Sequence, residues 1–202
     1  MPGWPESLTG PVLEVAPRLL GAVLRHETAD GAVAVRLTEV EAYDGPGDPG
    51  SHAYKGMTPR NEVMFGPPGR LYVYFTYGMH FCCNIVVGDE GSASAVLLRA
   101  GEVVEGLDVA RARRPGVTDR DLARGPARLC RTLAIERASN GADLTRPPLT
   151  VTPPERPLSP YVTGPRVGLR LAAERPWRFW LPDEPTVSPY RPAAPLRNRA
   201  RK

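Results

Sequence analysis

The connections between successive strand-like segments most constrain what this chain can fold into. Residues 71–75 alternate apolar and tyrosine side chains, residues 81–87 are nearly all apolar, and a short hairpin tip at 77–80 lies between them. A parallel crossover needs about a dozen residues or more, so strands joined by shorter links run antiparallel. The pattern predicts a mixed α/β (α+β) fold: a single compact domain around a curved, largely antiparallel sheet with flanking helices.

The other elements are predicted from apolar periodicity and from turn residues. Further strands are expected at residues 32–40, 95–99, 167–171 and 177–181. Helices are expected from residue 16 and at 106–114 and 125–135. Turns or loops are expected at 26–31, 44–50 and, as a Pro-rich extended stretch, 147–160.

The length of 202 residues favours one domain. We expect a loose lead-in over residues 1–10, one domain over 11–188, and a basic Pro/Arg-rich tail over 189–202. No run of 18 apolar residues could span a membrane, and the first residues do not resemble a secretory signal. Three cysteines, two of them adjacent, do not suit a disulfide scaffold. These features predict a cytoplasmic protein, associated with the nucleoid if the source is a bacterium.

Positive charge is concentrated in two places. Residues 111–137 contain eight arginines and three acids, and residues 191–202 contain five basic residues and no acid. Such clusters suit contacts with nucleic-acid phosphates. A solvated helix face and a disordered tail would explain them equally well from sequence alone.

Residues 39–84 contain eight of the fourteen aromatic residues and two of the three histidines, among many Gly, Pro and Asp. That composition suits neither a solvated loop nor a core strand. Carboxylate, imidazole and flat aromatic faces together can hold a planar heterocycle and activate a water beside it. The stretch therefore indicates chemistry on a nucleobase.

Two glutamates lie where the strand predicted at residues 32–40 runs into this stretch. Glu39 and Glu41 share one face, so one of them could be solvated while the other lines a cleft. A partly desolvated Glu41 beside Tyr43 could act as a general base, and a plain surface glutamate is the alternative. His52 follows across a Gly/Pro loop that could fold its imidazole back over the strand end, although a lone histidine is more often structural.

The hairpin supplies the remaining candidates. Tyr72 and Tyr74 share one strand face, as half-buried packing residues often do, whereas Tyr77 at the tip has few neighbours to bury it and could wedge into a base stack. Asn84 is unusual in a strand and could hydrogen-bond in a pocket or mark a bulge. Arg99 closes an apolar strand and would need a carboxylate or phosphate partner if buried. The chain has no Cys-x-x-Cys pair, so no metal is expected.

With these residues assigned, the chain resembles the alkyladenine (3-methyladenine) DNA glycosylase family of monofunctional base-excision repair enzymes. The resemblance spans roughly residues 12 to 188 and includes His52. Its longer motifs are VEAY at 40–43, GPGD at 45–48, TPRN at 58–61, MFGPPGRLYVYFTYGMHFCCNIV at 64–86, VLLRA at 96–100, GPARLCRTLAI at 125–135 and RVG at 166–168.

The resemblance implies a role for each matching residue. Glu41 would deprotonate the attacking water, and Arg99 would help to position that water and Glu41. Asn84 would reject guanine at the pocket floor. The rest divide into three groups: a base sandwich of Tyr43, His52 and Tyr74, an intercalating hairpin tip of Tyr77 with Met79, and phosphate contacts from Arg128 with Arg131. The family also implies a monomer that binds double-stranded DNA with damaged purines through the minor groove, with no cofactor and no membrane partner.

The residues also bear on how the glycosidic bond would be cleaved. A glycosylase–lyase needs an amine nucleophile, and the chain offers only Lys55, Lys202 and the N-terminus. Hydrolysis by water, which leaves an abasic site without strand cleavage, is therefore expected. The alternative from another class is a non-catalytic protein that binds distorted or damaged DNA, for which a carboxylate at Glu41 would have no use. A metal-dependent hydrolase is disfavoured by the lack of a ligand cluster.

Overall fold

The computed structural model describes residues 6–76 and 78–194. Within them, nine strands form one antiparallel sheet. The strands are β1 Val23–Thr28, β2 Gly31–Asp44, β3 Leu71–Thr76, β4 His80–Val87, β5 Ser94–Glu105, β6 Thr145–Arg146, β7 Leu149–Thr152, β8 Val162–Gly164 and β9 Arg178–Trp180.

The sheet has the order β3-β4-β5-β2-β1-β7-β6, and β9 joins β2 to β8 at one side. Every pairing in it is antiparallel. The α-helices are α1 Val12–Val15, α2 Leu107–Arg113 and α3 Pro126–Thr132, with 3₁₀ turns at Glu6–Leu8, Ala16–Leu19, Gly45–Gly47, Glu62–Phe65, Asp119–Asp121 and Arg137–Ser139. The predicted mixed α/β class with an antiparallel sheet is confirmed.

Strand β2 is the centre of the fold because it pairs with β1, β5 and β9 along its 14 residues. Its register with β5 shifts three times, and such bulges bend a strand and re-aim its side chains. The main core packs on one face of the sheet, where Val40, Ala42, Ile85 and Leu98 are fully buried. Burying a Val, Ile or Leu side chain in this way stabilises a fold by about 1.5–3 kcal/mol.

Several element predictions were wrong. The first helix begins at Val12, four residues before the expected start, and continues as a 3₁₀ turn. Residues 26–28 lie in strand β1 and not in a turn, because β1 is held between β2 and β7 despite its polar sequence. The loop at 147–160 contains strand β7, which completes that pairing.

The segment at residues 167–171 is also not a strand. It contains a turn at Val167 and Gly168, where Gly168 has a φ of 74°, and the late strand β8 lies earlier, at Val162–Gly164. A positive φ is readily adopted by glycine and interrupts a strand. As a result, the backbone N–H of Val167 points into the structure rather than pairing in the sheet.

None of the helices in the described ranges, 6–76 and 78–194, is long and apolar enough to cross a membrane. The domain boundaries predicted at residues 10 and 188 stay predictions. Most of the predicted basic tail, residues 195–202, lies outside the described residues.

Candidate active site

One face of four neighbouring strands holds the floor of a single cavity. Opposed residues in antiparallel strands point to the same face, and the register aligns Tyr72 with Asn84, Asn84 with Leu97, and Leu97 with Glu41. This row crosses β3, β4, β5 and β2 on the side of the sheet away from the main core. Each of the four residues is at most 5% exposed.

The cavity above this row has a volume of about 370 Å³, within the usual range of about 300–1,000 Å³ for small-molecule sites. The residues that line it come from different parts of the chain and include Tyr43, His52, Tyr74, Asn84, Arg99 and Val167. The four residues predicted to form a base pocket thus lie around one cavity. A deeper-lying carboxylate, Glu41, contacts three of the wall residues directly.

Glu41 is fully buried, so the alternative of a plain surface glutamate is wrong. Its Oε1 accepts a hydrogen bond from the backbone N–H of Val167 at 2.7 Å, and its Oε2 accepts one from the hydroxyl of Tyr43 at 2.9 Å. Arg99 Nη1 lies 3.3 Å from the same Oε1. These contacts fix the fully buried carboxylate directly behind three residues that line the cavity.

Tyr43 is held in its protonated form. Burial, and then the negative charge of Glu41, raise the pKa of Tyr43 well above its usual value. The phenol therefore acts as a donor to Glu41 at all physiological pH values. The side chain of Tyr43 is also part of the cavity lining.

Neither glutamate is solvated, although the sequence left open that one of them could be. Glu39 is fully buried, and its Oε1 accepts bonds from Arg99 Nε at 2.6 Å and Arg178 Nε at 2.7 Å. Its Oε2 accepts the backbone N–H of Ser188 at 2.6 Å. Burial alone would raise the pKa of Glu39, but the charges of Arg99 and Arg178 outweigh it, and the pKa lies below its ordinary value.

Arg99 connects the two glutamates because it lies at a β-bulge. The register passes from Ala100 opposite Glu39 to Leu98 opposite Val40, which leaves Arg99 without a directly opposed residue. Burial lowers the pKa of Arg99, but the charges of Glu41 and Glu39 outweigh that effect and raise it. The sequence prediction that a buried Arg99 needs a carboxylate partner is confirmed, with two carboxylates.

A second part of the cavity lining is a cluster of aromatic rings. The ring of His52 meets Tyr74 edge-on at 4.6 Å between centroids, and Tyr72 and Tyr74 stack at 5.7 Å. His52 Nδ1 lies 3.1 Å from the Tyr72 hydroxyl. The His52 ring is partly buried. That burial, and then the charge of Arg60, lower the pKa of His52, so the imidazole is neutral near pH 7.

A second groove, which is basic, is lined in part by residues of the hairpin tip. Tyr77 lies outside the described residues, and Met79 is 69% exposed. Met79 lines a groove of about 770 Å³ together with Arg114, Arg128 and Arg131. Burial, followed by the charges of Arg128 and Arg131, lowers the pKa of Arg114, which shows that the three cations lie close together.

Arg128 and Arg131 are exposed on α3, as predicted. Across residues 6–76 and 78–194, neither arginine side chain has a hydrogen-bonded or ion-paired carboxylate. Unpaired cations in a groove suit phosphate binding. Elsewhere in these described residues, no group of three or more His, Cys, Asp or Glu residues is placed to hold a metal ion.

Sequence reasoning missed two contributors to the site. The Val167 N–H that binds Glu41 comes from a segment predicted to be a strand, and only the following glycine in the RVG motif signals the turn. Arg60 was assigned no role, yet its charge acts on both His52 and Tyr72. Its position in the TPRN motif was the available signal.

Most of the chain is similar to known proteins. Residues 6–185 match the sequence model of a family described as methylpurine-DNA glycosylase. A Streptomyces avermitilis protein is 54% identical over 204 aligned positions, which cover 96% of this chain and 94% of that protein. A Leifsonia xyli protein is 59% identical over 189 positions, which cover 89% of this chain and 88% of that protein. A Frankia casuarinae protein is 55% identical over 194 positions and 90% of each chain. All three carry the name "Putative 3-methyladenine DNA glycosylase".

Proposed function

Because this chain belongs to the methylpurine-DNA glycosylase family, we propose that it removes alkylated purines, 3-methyladenine among them, from duplex DNA by base flipping and hydrolysis. Membership of the family makes the chain a DNA glycosylase acting on damaged DNA. The non-catalytic DNA binder is accordingly the weaker alternative. The finer steps below concern how this particular site performs the reaction.

The observation that carries the proposal is the position of Glu41 against an aromatic cavity large enough for one base. A base inside a duplex cannot reach such a cavity unless it rotates out, at a cost of about a few kcal/mol in unstacking and unpairing. A damaged base pairs less well and therefore costs less to extrude. Selection for damage thus begins before the base enters the cavity.

Inside the cavity, the aromatic side chains of Tyr43, His52 and Tyr74 would contact a flipped purine. Alkylation at N3 or N7 leaves a purine cationic, and aromatic faces attract a cation by about 0.5–2 kcal/mol. The neutral state of His52 matters here, because a protonated imidazole would repel that cation. Asn84, at the floor, would contact the base edge and disfavour guanine.

The proposed hydrolysis uses Glu41. The glycosidic bond breaks with positive charge on the sugar, as in sugar hydrolases. We assign Glu41 as the base that takes a proton from the attacking water, with its charge also stabilising the sugar cation. Arg99, Tyr43 and the Val167 N–H hold the carboxylate in place. A cationic purine leaves readily, whereas neutral hypoxanthine would need a hydrogen bond to its departing ring.

DNA would bind on the side of the hairpin tip. Tyr77 and Met79 would enter the minor groove and occupy the space of the flipped base. Arg128 and Arg131 would contact phosphates across the tip from the cavity. This arrangement needs one copy of the chain per lesion, so we expect a monomer on DNA.

The proposal is tested by incubating the protein with duplexes that each contain one lesion: a methylated purine, hypoxanthine or ethenoadenine. We expect release of the methylated purine, strand breaks only after alkali, and full activity in EDTA. A protein–DNA adduct trapped by borohydride would instead assign a lyase with an amine nucleophile. Tight binding without release from any lesion would favour the non-catalytic binder.

A further inference from the structure

Arg166 is a buried cation that the proposed mechanism does not use. It is the largest of the fully buried side chains and is 0% exposed. Both of its terminal nitrogens donate to Asp48, and Nη1 also donates to the backbone carbonyl of Ala42 at 2.9 Å. Taking such a pair out of water is costly, and the geometry must compensate for the lost hydration.

Among the described residues, the lost hydration of Arg166 is not fully replaced, because its Nε is buried without a hydrogen-bond partner. Buried polar groups are nearly always satisfied, so each exception needs an explanation. An unpaired buried donor adds to the cost of burying this guanidinium. Two of its neighbours, Tyr43 and Gly50, line the cavity.

The guanidinium lies between two aromatic rings. Its central carbon is 4.6 Å from the centroid of Tyr43 and 5.0 Å from that of Trp177. The face of Tyr43 towards Arg166 is thus backed by a rigid planar group. Its carbonyl partner, Ala42, is the residue between Glu41 and Tyr43 in the chain. Arg166 therefore fixes both the ring and the strand end that carry the proposed chemistry.

The same side chain also seats the loop that carries His52. Asp48, its ion-pair partner, accepts the backbone N–H of Gly50 at 3.0 Å. The loop packs so closely that a Cβ on Gly50 would lie 2.9 Å from Arg166 Nη2. The neighbour of Arg166 in the chain, Val167, supplies the N–H on Glu41.

We propose that Arg166 is a positioning residue that sets the separation of Tyr43 and His52 in the base cavity and the orientation of Glu41. Tyr43, the His52 loop and the Val167 N–H all depend on this one guanidinium. The proposal rests on the proposed function, because it concerns the same cavity. It assigns no contact between Arg166 and substrate.

The test begins with Arg166→Lys, which keeps the charge but loses the planar, two-pronged contact with Asp48 and the stacking on Tyr43. We expect single-turnover excision of a methylated purine at saturating enzyme to fall by about tenfold or more, since small misplacements at a reacting centre cost up to about 100-fold. The Kd for a duplex with a tetrahydrofuran abasic analogue should change by less than about twofold, because that duplex has no base to fill the cavity.

Gly50→Ala is the second variant, because it displaces the guanidinium without removing any charge. Its added methyl would lie 2.8 Å from Leu169 Cδ1 as well as against Arg166. Gly50 is not among the glycines with positive φ, so the backbone tolerates alanine. Arg36→Lys, which alters an ion pair with Glu102 and Glu184 further along β2, is the control and should keep the wild-type rate.

A readout that does not depend on chemistry separates this proposal from the proposed function. Ethenoadenine in a duplex fluoresces, and its signal changes when it stacks inside the cavity between Tyr43 and His52. The change should be reduced in Arg166→Lys and Gly50→Ala and intact in Arg36→Lys. Wild-type protein that shifts the fluorescence but releases no base would contradict the hydrolysis only. Full excision and an unchanged fluorescence shift in both Arg166→Lys and Gly50→Ala would overturn the positioning role.

Discussion

Replacing Glu39 by glutamine should destabilise the protein strongly, although Glu39 is not proposed to touch substrate. The change removes the negative charge that Arg99 and Arg178 share and leaves both cations buried with one fewer partner. Breaking a buried ion pair from one side costs about 3–5 kcal/mol. For a domain of this size, about 2–4 °C of Tm per kcal/mol converts this to a drop of about 6–20 °C.

Urea denaturation followed by circular dichroism measures this free energy of unfolding directly. Glu102→Gln is the matched control, because Glu102 also pairs with an arginine, Arg36, but at the surface. Exposed pairs contribute about 0–1 kcal/mol. A loss below about 1 kcal/mol for Glu39→Gln, equal to that of the control, would refute the view that this cluster stabilises the strand end.

The dependence on pH follows from the direction of the shift. Because the pKa of Glu39 is lower in the folded protein, folding favours the charged form. The resulting stability is present above the ordinary carboxyl pKa of about 4.3 and is lost as the pH falls through the folded-state value. The difference in stability between wild type and Glu39→Gln should therefore be constant near pH 7 and shrink below about pH 4.

Three further outcomes are expected. Tyr43→Phe keeps the ring but removes the hydroxyl that donates to Glu41, so the single-turnover excision rate should fall by about tenfold. The Kd for lesion DNA, measured by gel-shift titration, should stay within about threefold. An unchanged rate would contradict the role of that hydrogen bond. Arg128→Ala and Arg131→Ala should each weaken DNA binding for all sequences. Each should also reduce, by about one, the slope of the logarithm of the binding constant against the logarithm of the salt concentration. A slope equal to that of wild type would show that the replaced arginine does not contact a phosphate. Burial raises the pKa of the Cys82 thiol to about 11. At pH 8 this thiol should therefore react slowly with a maleimide in the native protein and quickly once the protein is unfolded. Rapid labelling of the native protein would show that the thiol is accessible.

The sequence predicted the parts of the fold in which local pattern and tertiary context agree. The hairpin of β3 and β4 has both alternation and a short tip, and its expected strands are confirmed to within one residue. Strand β1 was missed because its polar residues, including His26, look like a turn until the partners on both sides are known. Long-range pairing of this kind leaves little trace in the local sequence.

The candidate site was predictable to a similar degree. His52, Tyr74 and Asn84 were each open to a structural interpretation, and only the pairing of the strands and the packed loop bring them to one cavity. The pairing of Glu39 with two buried arginines could not be predicted, because one arginine is at a bulge and the other in a late strand. A bulge shifts the face of a side chain, and no sequence rule places it.

In the proposed mechanism, Glu41 acts as the base for water, and one rate comparison tests this role most directly. Wild type and Glu41→Gln should be compared in single-turnover release of a methylated purine, at enzyme concentrations that saturate the duplex in both cases. General-base catalysis contributes about 100- to 10,000-fold, so the variant should lose at least about 100-fold in rate while its Kd for the lesion duplex stays similar. Release by Glu41→Gln within about threefold of the wild-type rate would contradict the proposed mechanism.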